Sequence, residues 1–187
     1  ALSEIIGSFE EAVAESGRVL SIKGQVLPAT LHNVKLIADK SLPFIGEQVR
    51  IHGESSIPKV KGKVKQVWLE PDSPPAFPAA LKAILKADLI VIGPGSLYTS
   101  ILPNLLVPDI ASAVKASKAL KIFVCNVTTQ PGETDGYNCV DHVEAIHEHT
   151  SSELFDLIIS NKITKGRLPE NIEWVTTKEQ SKAEYSI

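Results

Sequence analysis

The sequence predicts an α/β fold, a mostly parallel sheet with an antiparallel portion ahead of it. Three observations carry this. After residue 72, short apolar runs such as LIVI and KIFVCN alternate with stretches of helical periodicity, the pattern of parallel strands joined by crossover helices. Between residues 20 and 71, extended runs follow one another with no helix between them, as antiparallel strands do. The chain is 187 residues long, with 43% hydrophobic and 22% charged residues, enough for one domain with a core.

The elements follow in order. Ser8-Phe-Glu-Glu11 has capping-box spacing, so a helix is expected from Ser8, with Phe9, Val13 and Val19/Leu20 on its apolar face and Gly17 near its end. Residues 19–22 and 24–28 read as short extended pieces. Residues 34–38, 48–53 and 63–71 read as strands, the first two joined by a loop with Pro43 and Gly46. These form the antiparallel portion, at an edge of the main sheet or added to it. Pro78 fits the first turn of a helix over Pro78–Lys86. Asp88–Ile92 reads as a buried parallel strand, followed by a helix over 108–117. A strand over 121–126, a helix over 141–148 and a strand over 154–160 complete the alternation, with one more strand candidate at 172–175.

Charge and composition exclude several function classes. The net charge is −3 and the isoelectric point about 6.0, which gives no basic footprint for nucleic acid. The local excess Lys59–Lys65 (KVKGKVK) reads as a solvated strand face. Cys125 and Cys139 are two cysteines without metal-ligand spacing, and read as small buried residues. No apolar run reaches the length of a membrane span and no secretory signal is present, so no membrane partner and a cytoplasmic location are expected. The chain contains no Met and begins with Ala1 inside a helical pattern, so it is expected to be a fragment lacking an N-terminal segment.

Two loops carry the candidate chemistry, because ligands of parallel sheets bind beyond the carboxyl ends of the strands. The first is Gly93-Pro94-Gly95-Ser96-Leu97-Tyr98-Thr99-Ser100. Its glycines let backbone approach a ligand, and the N–H groups opening a following helix attract an anion. The Gly-Lys-Ser/Thr ending of a P-loop is absent. The residues alone leave open whether it is an anion site or a turn. The second, Asn126 to Tyr137, holds Glu133, Asp135, two amides and three threonines. Such groups can read a sugar or ribose, while the plain structural reading is that Asp135 and Thr134 cap the helix after Gly136. His142, His147 and His149 share one expected helix without the i,i+4 spacing of a metal pair, and read as solvated or core-edge histidines.

The stretches GPGSLYTSILPNLL and CNVTTQPGETDGY, with LSEIIGSFEEAVAE, VLPATLHNVKLIAD, IHGESSIPK and VWLEPDSPPAFPAAL beside them, strongly resemble the gluconeogenesis factor family, the YvcK-type branch of the CofD-like superfamily, over about residues 1–160. Thr128 departs from the Met expected in CNVMTQPGE. The resemblance implies a Rossmann-like, three-layer α/β sandwich similar to 2-phospho-L-lactate transferase. Residues 1–187 would be part of one such domain, with an antiparallel portion over 20–71 and the ligand loops within 72–187. It implies a glycine-rich N-terminal turn that this chain lacks, and a C-terminus beyond residue 187.

For function, the resemblance implies a regulator that binds UDP-N-acetylglucosamine without firm catalytic activity, linked to gluconeogenic growth, cell shape and cell-wall precursor control in bacteria. Ligand-binding positions are then Gly93, Pro94, Gly95, Ser96, Tyr98 and Thr99 on the first loop. Asn126, Thr129, Gln130, Glu133, Asp135 and Tyr137 follow on the second. No catalytic residue, metal or cofactor is assigned. The alternative is a transferase of the 2-phospho-L-lactate type, in which Glu133 or Asp135 would hold magnesium or act as a base. Partner expectations are the nucleotide sugar, a protein in cell-wall regulation, and self-association. A third class, a scaffold whose loops contact a protein, would bind no small ligand.

Overall fold

The computed structural model describes residues 5, 7–19, 23–43, 47–150 and 153–177. The antiparallel portion is a separate three-stranded sheet, with β1 (Lys35–Ser41) between β2 (Gln48–His52) and β3 (Lys63–Glu70). Its register pairs Ala38 with Ile51 and Val67, and an irregularity falls between Asp39 and Lys40, where Lys40 pairs with Val64. The extra β3 residue, Lys65, is exposed between buried Val64 and Val67, as a bulge allows. Between β2 and β3 runs a 3₁₀ turn, Glu54–Lys59, with Ile57 buried.

The second sheet is parallel, in the order β4 (Leu89–Ile92), β5 (Leu120–Val124), β6 (Leu157–Ile159). Its register aligns Ile92 with Phe123 and Phe123 with Ile158. These belong to the core face, together with Ile90. The other face carries Leu89, Val91, Leu120 and Ile159, each about half exposed. The expectation of strands buried on both faces is therefore corrected for β4. Among the described residues only one face of this sheet is covered.

Helix α1 (Phe9–Val19) starts where the capping box placed it, with Glu11 N–H donating to Ser8 Oγ at 3.3 Å. Its apolar face differs from expectation. Ala12 is the buried residue, while Phe9 and Val19 are exposed. The helix runs through Gly17 to Val19, so residue 19 is helical rather than extended, and residues 20–22 lie outside the described residues. Helix α2 (Pro78–Lys86) has Pro in its first turn, as predicted, and packs on α4 (Pro108–Ala116). After β4 come a wide turn, Leu97–Ile101, and α3 (Leu102–Leu105). In the wide turn Ile101 N–H bonds Ser96 O five residues back, at 2.9 Å. Helix α5 (Cys139–Thr150) begins two residues before the expected start. Residues 172–175 form only an isolated bridge, Thr128 to Trp174.

The core joins both sheets. Val64, Val67 and Leu69 of β3, Leu97, Tyr98 and Leu102 after β4, and Val143 and Ile146 of α5 belong to one cluster. A polar tie crosses the same boundary, where Val67 N–H donates to His149 Nε2 at 3.1 Å.

Candidate functional site

The two predicted loops leave the carboxyl ends of the neighbouring strands β4 and β5, and the structure brings them together. Asn126 makes the join with both ends of its amide. Gly95 N–H donates to Asn126 Oδ1 at 3.0 Å, and Asn126 Nδ2 donates to Gly95 O at 2.9 Å. Gly93 sits at φ +83°, and a Cβ there would lie 2.6 Å from Val124 O. Its glycine character serves close passage over β5. Gly95 has only ordinary contacts around it.

At the centre lies Glu133, almost fully buried. Tyr98 N–H donates to its Oε2 at 3.2 Å, and Thr99 Oγ1 and Gln130 Nε2 donate to its Oε1 at 2.9 and 3.1 Å. The GPGSLYT turn is thus an anion-holding turn, and the anion it holds is this chain's own carboxylate. Burial raises the Glu133 carboxyl above its ordinary value. Its hydrogen bonds and the charge of Lys40 pull the other way without cancelling the shift.

The remaining predicted residues are distributed around this centre. Thr129 is buried, its hydroxyl accepting from Glu173 N–H at 2.9 Å. Tyr98 and Tyr137 are buried with their hydroxyls 2.7 Å apart, and burial raises both phenols. Asp135 is exposed and accepts Gly132 N–H at 2.8 Å. Thr134 Oγ1 accepts Gln130 N–H at 2.9 Å. The expected capping role of Asp135 and Thr134 is therefore corrected. The cap of α5 is Asn138, whose Oδ1 accepts from Val140 and Asp141 N–H, while Asp141 accepts Asn138 N–H. Pro94 and Ser100 are exposed, and Ser96, Thr99 and Gln130 are half-buried at the rim. A small cavity of about 230 Å³ opens beside Thr99, Ser100 and Gln130, with Glu54 and Ser55 opposite.

One central residue escaped the sequence reading. Lys40 of β1 is fully buried. Its ammonium donates to Ile57 O at 3.1 Å, to Gly132 O at 2.6 Å and to Val60 O. Burial lowers its pKa, against the raising fields of Asp135 and Glu133. The available signal was strand phase, since Lys40 continues the face of Leu36 and Ala38. Beneath the Lys40 bond, Gly132 (φ +79°) presses against the 3₁₀ turn, where a Cβ would lie 2.1 Å from Pro58 O.

The histidines are structural. His142 is buried and its Nδ1–H donates to Asn138 O at 2.8 Å, with burial lowering its pKa. His149 Nδ1–H donates to Ala145 O at 2.6 Å, and His147 stacks on Phe155. Cys125 and Cys139, both free and buried, stand at the two ends of the second loop. Among the described residues no three His, Cys, Asp or Glu side chains converge to hold a metal ion. Both oxygens of Glu133 already accept protein donors, so it does not fit a resident magnesium site as it stands, whereas exposed Asp135 spends one oxygen only.

The profile of the CofD family, described as 2-phospho-L-lactate transferase CofD, matches residues 1–185. The chain belongs to the CofD family. Within it, a relative from Nostoc sp. is 53% identical over 163 residues, covering 87% of this chain and 35% of its own length. The gluconeogenesis factor of Bacillus subtilis is 45% identical over 161 residues, covering 86% of this chain and 49% of its own. A crystal structure of a UPF0052-family protein from Bacillus halodurans superposes with a TM-score of 0.81 at 41% identity, covering 95% of this chain and 58% of that one. The chain therefore spans about half the length of these CofD-family relatives. No single helix among the described residues is long and apolar enough to cross a membrane.

Proposed function

We propose that this chain is the ligand-reading part of a cytoplasmic regulator that binds a nucleotide sugar, UDP-N-acetylglucosamine, and is linked to gluconeogenic growth, cell shape and cell-wall precursor control. The observation that carries the reading is the fused pair of loops beyond β4 and β5. Asn126 locks them, Glu133 balances their converging donors, and Ser96 and Ser100 remain at the rim to meet a polar ligand. That rim is where an open parallel sheet receives ligands. The Glu133 carboxylate that a metal-using transferase would need is spent on holding the loops. The transferase reading is favoured by the CofD family description itself.

One titration separates the two. UDP-N-acetylglucosamine is titrated into the intact protein with and without magnesium, and released UDP is then assayed. The regulator reading expects saturable, metal-independent binding and no UDP. Release of UDP, or binding only with metal, would establish the transferase instead. Absence of any binding would sink both and leave a protein-docking scaffold.

A further inference from the structure

Cys125 and Cys139 are the two cysteines of the chain, and folding brings them together. Cys125 directly follows β5, where its N–H donates to Ile159 O of β6 at 2.9 Å. Cys139 is the first residue of α5, and its N–H donates to Thr176 O at 3.0 Å. Both are almost fully buried. The two thiols lie within hydrogen-bonding reach of each other, and Ser160, the residue after Ile159, reaches the Cys139 sulfur. The thiols are therefore partners, not two separate space-fillers. The Cys125 thiol donates to Cys139 and holds it below the ordinary thiol value against burial, with Ser160 helping. The same bond and burial push Cys125 up. The helix N-terminus at Cys139 also favours a thiolate there. The pair is asymmetric, with one thiol poised to ionise and the other held protonated beside it.

We infer that Cys125 and Cys139 form a reversible disulfide that closes the second loop at its base and stiffens it. The backbone between them is that loop, with Gln130, Glu133 and Tyr137 on it. A bond there ties the end of β5 to the start of α5. The structure shows the reduced form, with both thiols free. A hydroperoxide serves as oxidant. The Cys139 thiolate attacks one oxygen of hydrogen peroxide, the O–O bond breaks, and the departing hydroxide takes up the Cys139 proton as water. Cys139 is then a sulfenic acid. The Cys125 sulfur attacks the Cys139 sulfur, the S–O bond breaks, and a second water leaves with the Cys125 proton. Two thiols lose two electrons and two protons, and the peroxide is reduced to two waters. A dithiol reverses the bond by exchange. This device does not depend on which ligand the loops read.

The test treats the intact protein with excess hydrogen peroxide, denatures it in an alkylating quench, and maps the peptides by mass. A peptide pair joining Cys125 to Cys139 is expected, lighter by two hydrogens than the two reduced peptides and carrying no alkyl group. Dithiothreitol should restore both thiols. The oxidised form should melt about 5 °C or more higher, because a ring of about 15 residues restricts the unfolded chain. Hydrogen exchange at the amides of residues 130–137 should slow, and the β1–β3 ladder should not change. Cys125→Ala and Cys139→Ala, each checked for folding by circular dichroism, should form no internal bond and show neither shift. The peptide map of the parent carries the test if either variant fails to fold. Thiols that stay open to alkylation after peroxide, or sulfinic acid at either cysteine without a bond, would overturn the inference and leave the pair as core packing. A bond between molecules in place of the internal one, or an internal bond that leaves loop exchange unchanged, would overturn it as well.

Discussion

Glu133 shows why residue type and residue role must be separated. Its sequence setting, a carboxylate in a polar loop, fits a ligand contact, a metal ligand or a base. Its surroundings make it the internal counter-charge of the first loop. Glu133→Gln keeps the shape but offers one acceptor where two oxygens now serve three donors. A loss of about 1–3 kcal/mol is expected, since a buried donor is orphaned, measurable by urea unfolding at neutral pH. The pH dependence has a definite sign. Burial raises the folded-state pKa, so Glu133 binds its proton more tightly when folded. The proton-linked part of its contribution is fully present below the ordinary glutamate value of about 4.3 and is lost as pH rises through the raised value. The difference in stability between parent and variant should therefore change across that acidic window. A constant difference from pH 4 to pH 7 would contradict the burial argument.

At the scale of elements, the second loop is shaped by two glycines with left-handed φ angles but different surroundings. Gly132 has backbone of the 3₁₀ turn against it, and Gly136 (φ +72°) faces open space. Gly136→Ala should cost only the conformational strain, about 1–2 kcal/mol. Gly132→Ala adds a collision with Pro58 O that backbone must move to relieve, and should cost more than about 3 kcal/mol. Equal unfolding midpoints for the two variants would show that the loop does not need its close approach to the turn. The same loop explains the start of α5. Asn138 and Asp141 form a reciprocal cap, whereas Asp135 and Thr134 are consumed within the loop.

For the molecule as a whole, the antiparallel sheet and the parallel sheet are held together by a shared core and by Lys40. A lysine on a central strand binds the 3₁₀ turn of its own sheet and the loop leaving the other. Lys40→Met would leave three carbonyls without their donor and remove the positive charge between Glu133 and Asp135. A destabilisation of about 3 kcal/mol is expected. Hydrogen exchange should quicken at loop amides such as Tyr98, while the β1–β3 ladder stays protected. A stability change below about 0.5 kcal/mol would show that the apolar contacts alone join the halves. The uncovered face of the parallel sheet, with Leu89, Val91, Leu120 and Ile159, belongs to this scale too. It is invisible in the sequence because a strand reads as apolar whether or not its second face is covered.

The sequence by itself determined the elements and the loops. Pro78 at the start of α2, Ser8 ahead of α1 and the apolar runs of β4 and β5 act over a few residues, where periodicity and capping are read directly. The helical start expected after Gly-Pro-Gly-Ser is present as the wide turn Leu97–Ile101 and the short α3, whose bounds the sequence left unset because Pro103 interrupts the pattern. The 172–175 candidate became a lone bridge because its bonds to the second loop, Thr129 N–H to Glu173 O and Val175 N–H to Val127 O, flank the single pair Thr128–Trp174 and extend no further as a ladder. Only the tertiary structure decided what the site residues do. Tyr98 meets Glu133 across 35 positions, and Lys40 meets Gly132 across 92. Local propensity carries no information about such partners. Whether a donor is free for a ligand or already satisfied is therefore a property of the packed chain.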